Sequence, residues 1–140
     1  MAADPGASPL YRRGVEVWRE VGYKAPYDAR ALYPALPPGQ AEDVTRKLME
    51  FCFGDVWGRP GSAIDYKTRR LVTIAAVAAT GRDRQLRAHV AGALAQGITR
   101  EEITEVLIHL IAYCGFPVGL SGLEIANEVF AATPQAAPPG

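Results

Sequence analysis

An all-α fold is predicted for this chain, and three observations predict it. Apolar residues recur at helical spacing in most windows, start and stop signals bracket those windows, and no window sustains the period-two alternation of a half-buried strand. The 140 residues match one domain of ordinary size, long enough to bury about 68–70% of the unfolded surface. No repeat and no linker breaks the middle of the chain, so residues 8–132 are expected to form a single domain. The Ala/Pro/Gly-rich ends, 1–7 and 133–140, are expected to be a flexible N-terminus and a flexible C-terminal tail.

The elements follow in order. Ser8-Pro9 is a helix start, with the serine as cap and the proline at the first helical position, and that helix runs to about Val21 before Gly22. Residues 23–39 carry Pro26, Pro34, Pro37 and Pro38, so they form a loop with at most one short helix. Gln40 to Phe53 reads as a helix with Val44, Leu48, Phe51 and Cys52 on one face, and Gly54 to Ser62 as a loop. Asp65 caps a helix through Thr80 that Gly81 ends; a helix over 82–96 is closed by Gly97. Thr99 and Glu102 form a capping box that opens a helix to Cys114, and Pro117 starts a last helix to about Ala132.

Composition narrows the function classes. Fifteen basic residues balance fifteen acidic ones, and hydrophobic residues make up 49%. A neutral globule of this kind is not expected to bind nucleic acid. Met1 to Ser8 has neither a basic start nor an apolar core, and the apolar run Val106–Leu123 is interrupted by His109, Gly115, Pro117 and Gly119. It therefore reads as two buried helices with a break, not a membrane span, and a cytoplasmic location is the default expectation. Cys52 and Cys114 stand 62 positions apart, on apolar helical faces, and read as small buried hydrophobes. No metal-ligand spacing and no nucleotide-binding glycine pattern occurs, so neither a metal nor a nucleotide cofactor is expected.

Polar residues inside apolar helices mark the candidate site. Lys67, Arg69 and Arg70 crowd the first turns of the helix from Asp65, where cations oppose the macrodipole. With Arg59 in the preceding loop they make a carboxylate-binding corner, or else pair with acids elsewhere in the fold. His89 lies at the edge of the apolar face formed by Leu86, Val90, Ala93 and Leu94, in line with Arg82 and Gln85. On the helix from Thr99, the core period passes through Ile103, Val106, Leu107, Leu110, Ile111 and Cys114. A second stripe brings Glu105 and Tyr113 to four residues either side of His109. A carboxylate beside an imidazole raises its pKa and fixes its tautomer, which prepares a general acid near neutral pH. Because this helix is apolar nearly all round, it belongs at the centre of the fold or at a subunit interface.

Five ordered segments bring a family into view. GDVWGRPG (54–61), KTRRLVTIA (67–75), His89 eight residues before Gly97, GITREEITEVL (97–107) and AYCGFPVGL (112–120) resemble the carboxymuconolactone decarboxylase family over roughly residues 10–131. Through the W-x-R-P-G loop the chain is more similar to the 4-carboxymuconolactone decarboxylases than to the AhpD-like alkylhydroperoxidase branch. In that branch two cysteines stand where this chain has Arg82 and Gln85. The resemblance implies an AhpD-like helical bundle that assembles as a homo-oligomer, a hexamer or trimer. It also implies a cofactor-free decarboxylase acting on a small anionic substrate such as 4-carboxymuconolactone, giving the 3-oxoadipate enol-lactone in aromatic catabolism. Set against that chemistry, His89, His109, Glu105 and Tyr113 are the candidate catalytic residues. Arg59, Arg69 and Arg70 are candidates for the substrate carboxylates, and Trp57 for a pocket wall. An enolate-forming tailoring enzyme on another small acid or lactone, an AhpD-like peroxidase and a non-catalytic oligomeric binding protein are the alternatives.

Overall fold

A computed structural model describes residues 7–134, so the loose ends expected at 1–7 and 133–140 lie outside the described residues except for Ala7, Thr133 and Pro134. Helices α1 (Pro9–Glu20), α2 (Ala29–Leu32) and α3 (Gln40–Lys47) are followed by a π-helical segment (Leu48–Trp57). Then come α4 (Tyr66–Ala79), α5 (Asp83–Ala95), α6 (Arg100–Cys114) and α7 (Phe116–Ala132). The described residues contain no strand, and the fold is all-α. Among them no helix is long and apolar enough to cross a membrane. They gather into two compact units, one ending at Ile64 and the other beginning at Asp65.

In the first unit α1 lies directly on the π segment, and two glycines make that approach possible. A Cβ on Gly14 would stand 2.0 Å from the Met49 carbonyl oxygen, and one on Gly54 would stand 2.3 Å from the Leu10 carbonyl oxygen. Ser8 caps α1 by accepting from the Tyr11 amide at 3.1 Å and donates to Glu50 Oε1 at 2.5 Å. Trp18 stacks on Tyr23 with centroids 3.8 Å apart, meets Phe53 edge-on at 4.8 Å, and donates its indole N–H to the Ala25 carbonyl at 2.7 Å. The Pro-rich stretch holds the single short helix α2, capped by Asp28.

Two expectations for this unit are corrected. Gly54 to Ser62 was expected to be a loop, but the helix continues to Trp57, and the Gly58 amide donates to the Phe53 carbonyl five residues back at 2.9 Å. Glycine at 54 and 58 tolerates backbone contacts that a side chain would block, so residues typical of a turn serve a wide-wound helix. The buried face also differs. Val44 is 40% and Phe51 63% exposed, whereas Met49, Phe53 and Trp57 are buried. Val44, Leu48, Phe51 and Cys52 do share one face, where they line an apolar hollow, but the most buried residues of the segment lie off that face.

The second unit closes α4, α5, α6 and α7 around Ile74, Leu86, Val90, Ala93, Ile98, Ile103, Leu107, Leu110 and Ile125. The expected caps are present. Asp65 accepts from the Thr68 amide at 2.7 Å, and Thr99 and Glu102 exchange capping hydrogen bonds at 3.1 and 3.0 Å. Gly81 and Gly97 take positive φ, which lets the next amide donate back five residues, from Arg82 to Val77 and from Ile98 to Ala93. Gly115, at φ 89°, is the expected break between α6 and α7. The expectation that both helices around it are buried is corrected: Ile108, Tyr113, Phe116 and Leu120 are exposed. Hydrophobicity all round a helix does not say which side meets the protomer's own core. For the same reason Cys114 is exposed, and Cys52 is only half-buried.

Candidate active site

Arg70 is the feature around which the second unit's polar interior is built. It sits on the inward face of α4, four residues before Ile74, and is wholly inaccessible to solvent. Burying a guanidinium costs several kcal/mol unless its donors are met. Two of them are met from α5 and the residue that caps its end. Arg70 Nη1 lies 2.6 Å from His89 Nδ1, and Arg70 Nε donates to Gln96 Oε1 at 3.3 Å. Gly92 lies between those two partners along α5. A Cβ there would be 3.1 Å from three guanidinium atoms, so only glycine leaves the fork its full space.

The tautomer of His89 follows from this geometry. An arginine is always protonated and can only donate, so Nδ1 presents its lone pair and the ring proton of the neutral imidazole resides on Nε2. Burial, with the neighbouring Arg70 charge adding to it, pushes the His89 pKa from 6.5 down to about 4. At neutral pH the side chain is therefore an uncharged Nε2–H donor. A neutral imidazole oriented in this way can stabilise a developing oxyanion without first losing a proton.

The other candidates fall in different surroundings. Lys67 is engaged by Glu102, with Nζ 2.5 Å from Oε1, which joins the starts of α4 and α6. Arg69 is half-buried, and its carbonyl accepts from Thr73 Oγ1 at 2.8 Å. Arg82 and Gln85 are exposed. On α6, the rings of His109 and Tyr113 are 4.7 Å apart and tilted by 35°, both on the outer surface. Glu105 is exposed on the same helix, and among the described residues no hydrogen bond or ion pair joins it to His109. In the first unit Trp57 is buried with its ring 5.6 Å from that of Phe53, and Arg59 is exposed. A shallow apolar hollow of about 520 Å³ in that unit is lined by Val44, Lys47, Leu48, Phe51 and Cys52, none of them a candidate site residue. The thiol of Cys52 is pushed up by burial, which makes it a poorer nucleophile.

Sequence reasoning found His89 and Arg70 separately but missed Gln96 and Gly92. A signal for both was present, since Gly92 and Gln96 stand three and seven residues after His89 and so share its helical face.

Comparison with known proteins agrees with this frame. The model of the carboxymuconolactone decarboxylase family matches residues 42–128. A 4-carboxymuconolactone decarboxylase of Acinetobacter baylyi is 37% identical over 89 residues, which cover 64% of this chain and 65% of that protein, just under two thirds of its length. A nitrosuccinic acid decarboxylase of Metarhizium robertsii is 34% identical over 135 residues, covering 91% of this chain and 89% of the relative. An uncharacterised 15.0 kDa protein of Paracoccus denitrificans is 36% identical over 107 residues, 75% of each chain. The chain belongs to the carboxymuconolactone decarboxylase family.

Proposed function

We propose that this protein is a decarboxylase of a small dicarboxylic acid that carries its own electron sink beside the departing carboxylate. A carboxylated unsaturated lactone such as 4-carboxymuconolactone is the first candidate. The observation that carries this reading is the neutral His89, whose Nδ1 faces the Arg70 guanidinium so that its proton resides on Nε2. In the proposed reaction the bond to the leaving carboxylate breaks and its electron pair moves through the conjugated alkene into the lactone carbonyl, forming an extended enolate as CO₂ departs. A proton then returns to carbon to give the 3-oxoadipate enol-lactone. Because the substrate supplies the sink, no cofactor is needed in this scheme.

The His89 Nε2–H donates to the oxygen where charge develops, an interaction of a kind worth about 10²–10³ in rate. Arg59, whose guanidinium is exposed, and Arg69 are the candidates for the carboxylates. The burial of Trp57 against Phe53 favours an anchoring role for it over a pocket wall. Glu105, His109 and Tyr113 form the second acid–base candidate. They are exposed, as are Ile108 on the same helix and Phe116 and Leu120 on α7, which supports self-association through this part of the surface.

A second reading has a specific observation behind it. The relative that aligns with nine-tenths of this chain is named for nitrosuccinic acid, in which a nitro group takes the place of the lactone as sink. Both names describe dicarboxylates, so the binding demands on the arginines are alike. The test is to offer purified protein each compound and follow CO₂ release and product. The lactone is expected to turn over, and the His89→Ala variant to lose about 10²-fold or more in kcat. A His109→Ala variant, assayed alongside, tells which histidine returns the proton. Turnover of nitrosuccinate alone would transfer the assignment to the second reading. No CO₂ from either compound, or a fully active His89→Ala variant, would remove the proposed role of His89.

A further inference from the structure

We propose that Arg70 is a positioning residue that fixes His89 in the tautomer with its proton on Nε2, and not a binder of substrate carboxylate. The role it is given in turnover rests on the decarboxylase reading; its effect on the tautomer does not. Three observations carry it. Arg70 has no solvent-accessible surface, so a substrate anion has no open path to its guanidinium. Its Nη1 is 2.6 Å from His89 Nδ1, a short contact of the kind made by a charged donor. Its Nε is held in turn by Gln96, and Gly92 leaves no side chain to displace the fork.

An imidazole in water exchanges between two tautomers and rotates about its side-chain bonds. A donor that can never accept removes one tautomer and holds the ring in place. The Nε2–H is then aimed the same way in every molecule, which preorganises the donor before substrate arrives. Gln96 does for Arg70 what Arg70 does for His89, so a chain of three side chains runs from the end of α5 back to its middle.

The test reads the tautomer directly in the resting protein. With ¹⁵N-labelled histidine, the His89 ring nitrogens of the wild type at neutral pH are expected to show a protonated Nε2 and an unprotonated Nδ1. Arg70→Met, which keeps an apolar stem and removes every donor, is expected to give a mixture of tautomers. It is also expected to lower kcat by roughly tenfold or more, with KM changed by less than about threefold, as for a group that acts through the catalytic side chain. Arg70→Lys is expected to restore part of the Nε2–H form. If Arg70→Met fails to fold, Gly92→Ala serves instead: its methyl enters at 3.1 Å from the guanidinium, and the same mixing of tautomers is expected. A wild-type His89 protonated on Nδ1, or a tautomer unchanged in both Arg70→Met and Gly92→Ala, would overturn the proposal. So would a large rise in KM with kcat intact, which would make Arg70 a substrate binder. A fixed tautomer in a protein that releases no CO₂ would leave the positioning role standing and remove only the proposed reaction.

Discussion

His89 ties the stability of the second unit to pH as well as serving the proposed chemistry. Its pKa is about 4 in the folded chain and 6.5 for an ordinary histidine, first because it is buried and then because Arg70 stands beside it. Between those values the unfolded chain binds a proton on His89 that the folded chain refuses. Stability therefore rises with pH through this window: the contribution is fully present above about 6.5 and is lost as pH falls toward 4. One pKa unit is about 1.4 kcal/mol, so the whole effect is on the order of 3 kcal/mol. Urea unfolding of wild type and His89→Gln at pH 7 and pH 4.5 isolates it, because every other group titrates in both proteins. The wild type is expected to lose about 2–3 kcal/mol more than the variant, and parallel losses would mean that His89 is not held neutral. At this scale the sequence was half legible. A histidine at the edge of an apolar stripe was visible as an anomaly on α5. That Arg70, nineteen residues earlier, turns inward to meet it was not, because arginines at a helix start are ordinarily solvated or paired at the surface.

Elements were the most legible scale, and the segment whose structure was misread shows where pattern reading stops. Ser8, Asp65 and Thr99 begin helices, and Gly81, Gly97 and Gly115 end them, because capping and left-handed turns are local chemistry. The segment Leu48–Trp57 was misjudged because its glycines serve packing and not chain reversal. Gly14 and Gly54 are a reciprocal pair, each pressed on a carbonyl of the other's helix, and the obstructing atoms are backbone that cannot rotate away. Gly14→Ala and Gly54→Ala are each expected to destabilise the protein by about 3 kcal/mol or more, the upper end for overpacking. Gly61→Ala is the comparison: nothing lies within 4 Å of its Cβ, and only its φ of +68° opposes the change, at about 1–2 kcal/mol. Chemical denaturation of the three variants ranks them, and equal losses would show that the α1–π contact is looser than its geometry.

At the scale of the whole molecule, the apolar surface that the protomer leaves uncovered sets a further expectation. Single exposed hydrophobic residues are ordinary, but Ile108, Tyr113, Phe116 and Leu120 gather on either side of the Gly115 break, with Tyr113 77% and Phe116 66% exposed. A helix that carries apolar residues on its outer side as well as its inner one has a use for both only if a second surface covers the outer one. A second copy of the chain is the occupant we propose, in keeping with the homo-oligomer that the family resemblance implies. The chain's zero net charge adds little long-range repulsion to oppose such association. Light scattering after size exclusion is expected to give a mass several times 15.0 kDa for the wild type. Phe116→Asp with Leu120→Asp is expected to lower that mass, because two carboxylates in a desolvated contact cost several kcal/mol. Both positions are already exposed in the protomer, so its helical circular dichroism is expected to persist. A wild type that elutes at 15.0 kDa at micromolar concentration would leave the face without a partner copy. It would also leave the Glu105–His109–Tyr113 stripe in open solvent.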